Sequence, residues 1–243
     1  MDPANSYEDA ARVEAYARLE FRGTYHVAYR DLPDIFRAHV RGGRAVDFGC
    51  GAGRSTRFLR RHGFETVGVD ISADMIRKAR ELDPAGDYRL VGDGEFGALD
   101  GRVFDLALSM FTFDNIPRME RKVRIFRGLA ERLPATGRIV SVVSSPELYV
   151  NEWASFSTRD FPGNARAKNG DVVRTVITDI EDPRPVEDIL WADDAYRETC
   201  RRAGLEIVAT YRPLGLEDEP FEWVNETRIA PWVIYVLGPA ARG

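Results

Sequence analysis

Cysteine is nearly absent: Cys50 and Cys200 are the two in 243 residues, and neither stands in a CxxC or Cys/His spacing. That excludes a disulfide scaffold and a structural zinc site, and it points to a reducing compartment. No metal site is expected. Excess positive charge is missing too. With 34 Lys and Arg against 39 Asp and Glu, the net charge of −5 argues against a nucleic-acid partner. Arginines such as Arg57, Arg60, Arg61, Arg77 and Arg80 are scattered along helical segments and read as a solvated face. No run approaches the roughly 18 apolar residues of a membrane span. The opening "MDPANSYEDAARVEAYARLE" has no apolar signal core, so a cytoplasmic location is expected. Internal repeats and low-complexity blocks are also lacking.

The chain does carry the composition of a globular protein, 44% hydrophobic and 30% charged, with length enough for one sizeable core. From Ala10 to Val40 apolar residues recur at three- and four-residue steps, and Pro33 opens a fresh helical turn. From Arg44 onward, strand-like runs ("RAVDF", "ETVGVD", "YRLVGD", "FDLALSMF", "GRIVSVVSS") alternate with helix-like ones ("RSTRFLRRHG", "SADMIRKARELD", "PRMERKVRIFRGLAERL"). In the second helix Met75, Ile76, Ala79 and Leu82 share a face, and Ser72 is a credible N-cap. Such alternation predicts an α/β fold with a mostly parallel sheet and helices on both faces. After Ser145 the rhythm breaks. Residues 146–191 hold Trp153, Phe156, Phe161 and Trp191 with several prolines, too long and aromatic for a simple connection, and read as an inserted cap. A helix, "DDAYRETCRRAG", then precedes two strands, "LEIVATYRP" and "APWVIYVLG", which lack a helix between them and are expected to be antiparallel.

The most informative stretch is "RAVDFGCGAGRST". Gly49, Gly51 and Gly53 follow the first strand and lead straight into a helix, where a doubly wound sheet seats a ligand on backbone N–H groups. The dinucleotide fingerprint G-x-G-x-x-G would need glycine at position 54, which is Arg54. Asp70 ends the second strand, where a carboxylate can accept from both ribose hydroxyls. Asp93 ends the third strand, where an adenine amine would arrive, and Gly94 leaves the backbone beside it accessible. Cys50, between two of the glycines, reads as a small apolar filler and not a nucleophile.

With these residues in order, the chain resembles the class I, Rossmann-like S-adenosylmethionine-dependent methyltransferases. "VDFGCGAGRS" is similar to their first motif, "VGVDIS" to the second, "VGDG" to the third and "FDLALSMFTFDNI" to the fourth. The resemblance covers about residues 40–145 and the terminal strand pair. It implies a seven-stranded doubly wound sheet with a reversed terminal strand, an N-terminal helical lid over 1–41, a cofactor-binding core over 42–145, a substrate cap over 146–191, and the end of the core over 192–243. It also implies S-adenosylmethionine as cofactor and S-adenosylhomocysteine as product.

By the family pattern, Gly49 and Gly51 would let the backbone approach the methionine and ribose, and Asp47 would hold the ammonium end, directly or through water, or else fix the loop. Ile71 would pack on adenine, and Met110 would lie under the sulfur. The lid "FRGTYHVAYRDLP" would bring Tyr25 to the cofactor and Tyr29 to the acceptor, with Arg30 on the methionine carboxylate. His26, Glu152 and Asp114, in that order, are candidates for a general base, though His26 facing water is the plainer reading. Asn115, Tyr149, Trp153 and Phe156 are candidates for the acceptor pocket, and the same aromatics also suit a core beneath a cap. "MFTFDNIP" departs from the Asn/Asp-Pro-Pro-Tyr/Phe motif of some members, which disfavours DNA adenine and release-factor glutamine as substrates. The expected function is methyl transfer to an O, N or C atom of a small molecule, by a monomer or homodimer. Alternatives are a protein or tRNA acceptor, or a non-catalytic cofactor-binding protein.

Overall fold

A computed structural model describes residues 10–19 and 21–240. Helices α1 (Ala10–Ala17), α2 (Thr24–Arg30) and α3 (Leu32–His39) precede β1 (Arg44–Phe48), α4 (Arg54–Arg61), β2 (Glu65–Asp70), α5 (Ala73–Leu82), β3 (Asp87–Leu90), β4 (Leu106–Met110), α6 (Met119–Ala130) and β5 (Arg138–Ser144). The segment beyond β5 contributes β6 (Phe156–Ser157), β7 (Val172–Ile177) and β8 (Val186–Ile189). The chain ends with α7 (Asp193–Arg202), β9 (Leu205–Tyr211) and β10 (Trp232–Pro239).

The main sheet has seven strands in the order β3-β2-β1-β4-β5-β10-β9. The first five run parallel, and β10 is antiparallel to both neighbours, as the absence of a helical period between the last two strands predicted. Ser144 pairs with Trp232, so the last residue of a parallel strand lies beside the first residue of the reversed one. A second, three-stranded antiparallel sheet, β6-β7-β8, is built wholly from the segment between β5 and α7.

Period-two alternation decides which side of the sheet each residue packs on. Leu106, Leu108, Val140, Val142 and Ile234 join α2, α3 and α4 in one core. Ala107, Ile139, Val143, Val233 and Tyr235 join α6 and α7 in the other. Both faces of the central strands are covered, so they are buried without interruption, whereas the edge strand β9 alternates buried and open positions. The expected helix signals hold in part. Ser72 Oγ accepts from Met75 N at 3.3 Å and caps α5. Leu82 departs from its predicted face and is 45% exposed, because only the first two turns of α5 reach the sheet.

The N-terminal helices differ in how they pack. Val27, Ala28, Leu32 and Phe36 of α2 and α3 are core residues, so this pair is part of the sheet's covering layer. Helix α1 packs instead on α5, where its Glu14 meets Lys78 at 2.6 Å. Val173, Ile177 and Val186 of the small sheet enter the same core as Tyr25 and Trp232.

Candidate functional site

A cavity of about 400 Å³ opens along the carboxyl ends of the parallel strands, the edge where doubly wound sheets bind ligands. One end is the glycine turn after β1. Gly49, Gly51 and Gly53 have φ of 73°, 51° and 84°, backbone that side chains rarely adopt. The turn is tied to β2, since Gly49 N and Cys50 N donate to Val69 O at 2.8 and 3.0 Å. What each glycine makes room for differs. A Cβ on Gly49 would fall 2.1 Å from Thr112 Oγ1, and one on Gly53 2.6 Å from the Tyr88 hydroxyl oxygen. A Cβ on Gly51 would meet nothing nearer than Met75 Sδ at 4.0 Å. Two of the glycines are therefore required by the protein's own packing. Of the three, Gly51 is the one whose missing side chain leaves open space, while both Gly49 and Gly51 border the cavity.

Carboxylates surround this turn. Asp70 Oδ2 accepts from Gly51 N and Oδ1 from Ser72 N, each at 2.8 Å, which orients the side chain at the cavity wall. Burial raises the Asp70 carboxyl, and the backbone donors oppose the rise. Asp47 is fully buried behind the turn and does not border the cavity. Its Oδ2 accepts from Ser55 Oγ at 2.7 Å and Thr56 Oγ1 at 2.6 Å, while Oδ1 has no hydrogen-bond partner among the described residues. Burial pushes the Asp47 carboxyl up to about 6 against those two hydroxyls. Ile71, 48% exposed, offers an apolar face at the cavity rim. Asp93 and Gly94 border the same end, but the Asp93 oxygens are held by Arg121 Nε at 2.9 Å and Arg124 Nη2 at 2.8 Å, pairings the sequence did not suggest.

The other end is aromatic. Met110 ends β4, and Phe111 follows with φ 62°, a left-handed conformation that costs a non-glycine residue about 1–2 kcal/mol. Its ring lies 4.6 Å from Trp232 and 5.7 Å from Tyr25. Phe156 completes the wall, 5.1 Å from Tyr25 and 5.6 Å from Trp232. Between the two ends, the Arg54 guanidinium lies 4.7 Å above the Tyr25 ring and 5.4 Å from that of Tyr29, and all three residues border the cavity. Asn115 borders it too, with Nδ2 donating to Phe111 O at 3.4 Å. Asp114, buried at its side, accepts from Ser144 N and Oγ, both at 2.9 Å.

Several expected site residues lie elsewhere. His26 Nε2 and Arg30 Nη1 both meet Glu219 Oε1, at 2.8 and 2.9 Å, and neither borders the cavity. Their helix turns these two toward the 212–231 segment and points Tyr25 and Tyr29 inward. Glu152 also lies off the cavity, accepting from Thr158 N at 2.7 Å and Ser157 Oγ at 2.8 Å to hold its own loop. Tyr149 and Trp153 sit behind the wall: the tyrosine hydroxyl donates to Asp188 Oδ2 at 3.1 Å, and the indole to Leu148 O at 2.8 Å. The sequence reading missed Arg54, Trp232 and Asp188 as cavity residues. Trp232 had a usable signal, since the first residue of a reversed strand must lie at the carboxyl edge of its parallel neighbours. Asp188 lies on β8, a strand the sequence reading did not foresee.

Residues 46–140 match the protein family described as "Methyltransferase domain". Ribosomal RNA small subunit methyltransferase C of Alcanivorax borkumensis is 31% identical over 116 residues, 46% of this chain and 35% of that protein. Ubiquinone biosynthesis O-methyltransferase of Hahella chejuensis is 27% identical over 122 residues, 48% of this chain and 51% of that protein. The chain thus spans about a third to a half of the length of these curated relatives. Among solved structures, an S-adenosylmethionine-dependent methyltransferase from Clostridium acetobutylicum superposes with a TM-score of 0.63 at 12% identity, covering 98% of this chain and 100% of that one. Residues 46–140 match a methyltransferase domain, and the chain has the same fold as that solved S-adenosylmethionine-dependent methyltransferase.

Proposed function

We infer that this protein is an enzyme that transfers the methyl group of S-adenosylmethionine to a small-molecule acceptor. The observation that carries the reading is the continuous cavity, which joins the Gly51–Asp70 turn to a wall of Tyr25, Phe111, Phe156 and Trp232. Two features of the chain fit the cofactor: open space at the Gly51 Cα, and the buried Asp47 Oδ1 that lacks a partner. When bound, S-adenosylmethionine supplies an electrophilic methyl group on a sulfonium.

The protein's residues divide the remaining work. Asp70 would accept from the ribose hydroxyls, Ile71 would cover the adenine face with Asp93 and Gly94 at its edge, and Met110 would lie near the sulfur. Asp47, buried behind the turn with Ser55 and Thr56 on its Oδ2, would reach the ammonium through water. Arg54, unlike Arg30, borders the cavity, and it would hold the methionine carboxylate. Tyr29, Asn115 and the aromatic wall would position the acceptor and exclude water. Such alignment supplies about 7–11 kcal/mol of a barrier. Of the three general-base candidates, Asp114 is the one that borders the cavity. The domains' division of labour follows: residues 42–145 seat the cofactor, and 146–191 close the acceptor side.

Calorimetric titration with S-adenosylmethionine, S-adenosylhomocysteine and NADH tests the reading. The expected result is binding of the first two, with the affinity lost in Asp70→Ala. Binding of NADH in their place overturns it.

A further inference from the structure

Asp93 stands in the turn after β3, outside any helix or strand, where Glu95 N closes onto Gly92 O at 3.1 Å. An aspartate in such a turn samples several rotamers unless a group from outside the turn holds it. Two arginines of α6 do so. Arg121 Nε donates to Oδ1 at 2.9 Å and Arg124 Nη2 to Oδ2 at 2.8 Å, one arginine to each oxygen. They stand three residues apart and so share a face of the helix. The helix is itself anchored, since Val123, Ile125, Phe126 and Leu129 are buried in the core. Asp93 and Arg121 border the cavity and Arg124 does not, so the carboxylate is gripped both at the cavity and from outside it. Gly94 serves the same contact. With φ 68° there, a Cβ would fall 3.0 Å from Arg124 Nε and 3.6 Å from Ile125 Cγ1, so bare backbone lets α6 approach the turn.

The Arg121, Asp93 and Arg124 side chains are 29%, 42% and 58% exposed, and ion pairs this open add little to stability. What they supply is orientation. A carboxylate has about four lone-pair sites, and the two arginine N–H groups leave the others for a donor in the cavity. An acceptor fixed in advance discriminates between ligands more strictly than a mobile one, which can turn away from an unwelcome group toward water.

We propose that Arg121 and Arg124 are positioning residues for cofactor selectivity: they hold Asp93 so that its carboxylate accepts from the exocyclic amine of adenine and rejects a purine with an oxo group at that place. The proposal rests on the methyltransferase reading given above, with adenine between Ile71 and Asp93. An oxo group presents only lone pairs to the carboxylate, where the amine presents a hydrogen. Neither arginine takes part in methyl transfer, and both act through Asp93.

The test is calorimetry with S-adenosylhomocysteine and S-inosylhomocysteine, in which the amine is replaced by an oxo group. The wild-type protein is expected to bind the first at least about tenfold tighter, the size of one hydrogen bond to a charged group. Arg121→Leu should lower that preference by about tenfold, and Arg124→Leu, which lies off the cavity, by about threefold or more. Melting temperatures should stay within about 3 °C of wild type. In an Asp93→Ala background both substitutions should leave the affinity for S-adenosylhomocysteine unchanged, because a residue that acts through another falls silent once the other is gone. The proposal is overturned if the wild-type protein binds both ligands equally, if the preference survives either arginine substitution, or if these substitutions weaken binding as much without Asp93 as with it. Each arginine variant carries the test by itself, so failure of one to fold leaves the other decisive. Failure of the wild-type protein to bind S-adenosylhomocysteine would instead remove the methyltransferase reading.

Discussion

At the glycine-turn end of the cavity, Gly51, Asp70 and Ile71 come from two successive strand–turn–helix units and are held by backbone hydrogen bonds. At the aromatic end, Tyr25, Phe111, Phe156 and Trp232 come from four distant segments and meet only through their rings. The first end is built by local backbone geometry and the second by side chains that folding gathers. A ligand site made of backbone tolerates change in the surrounding side chains, whereas one made of gathered rings depends on every segment that supplies them. The family match, confined to residues 46–140, covers the first end and stops short of Phe156, Asp188 and Trp232.

The comparison can be broken most directly at Trp232, which is 2% exposed, donates Nε1 to Thr24 O at 2.7 Å, and joins α2 to the reversed strand. Trp232→Ala should cost about 3–5 kcal/mol in urea unfolding. The folded fraction should still bind S-adenosylhomocysteine, because the glycine turn makes no use of that ring. Equal loss of stability and cofactor affinity would mean that the two ends are not separable.

Asp47 gives the next effect. Its carboxyl rises from 3.8 to about 6 on folding, so the folded state holds that proton more tightly than the unfolded chain does. The stabilisation is full below the lower value and is lost as pH climbs through the upper one, about 3 kcal/mol in all. Denaturation of the ligand-free protein across pH 4–6, wild type minus Asp47→Asn, should show that slope. A flat difference would mean that Asp47 is solvated in solution.

The glycines sharpen the contrast further. Gly49→Ala, with its Cβ driven against Thr112, should cost about 2–3 kcal/mol of stability. Gly51→Ala should cost about 1 kcal/mol, from backbone strain alone, yet weaken S-adenosylhomocysteine binding more than tenfold, roughly. Identical stability losses would contradict the open space seen at Gly51. The smallest effect belongs to His26, which pairs with Glu219 outside the cavity. His26→Ala should cost under about 1 kcal/mol and leave cofactor affinity unchanged.

The glycine-turn end was legible because its signals are short-range. Three glycines within five residues, and a carboxylate closing the next strand with an N-cap at Ser72, are each read within a single strand–turn–helix unit. The aromatic end was legible only in composition. Helical periodicity distinguishes the face that carries Tyr25 and Tyr29 from the one that carries His26 and Arg30, but not which of the two meets the cavity. For Glu152, Tyr149 and Trp153, residue type suited a pocket, and their actual partners are Thr158, Asp188 and Leu148. Arg54 was noticed only as a residue that spoils a dinucleotide motif, since nothing local shows two tyrosines from α2 arriving beneath it.

What the sequence by itself determined is the strand–helix alternation, the reversed final strand and the glycine turn. Each of these depends on backbone torsions and on apolar periodicity within a few residues. Only the tertiary structure decided which side chains face the cavity: Arg54 over Arg30, and Asp114 over His26 and Glu152. The physical reason is that the rotation of a helix and the path of an insertion are chosen by packing against remote strands, so a polar group's partner is settled only when those segments close on one another.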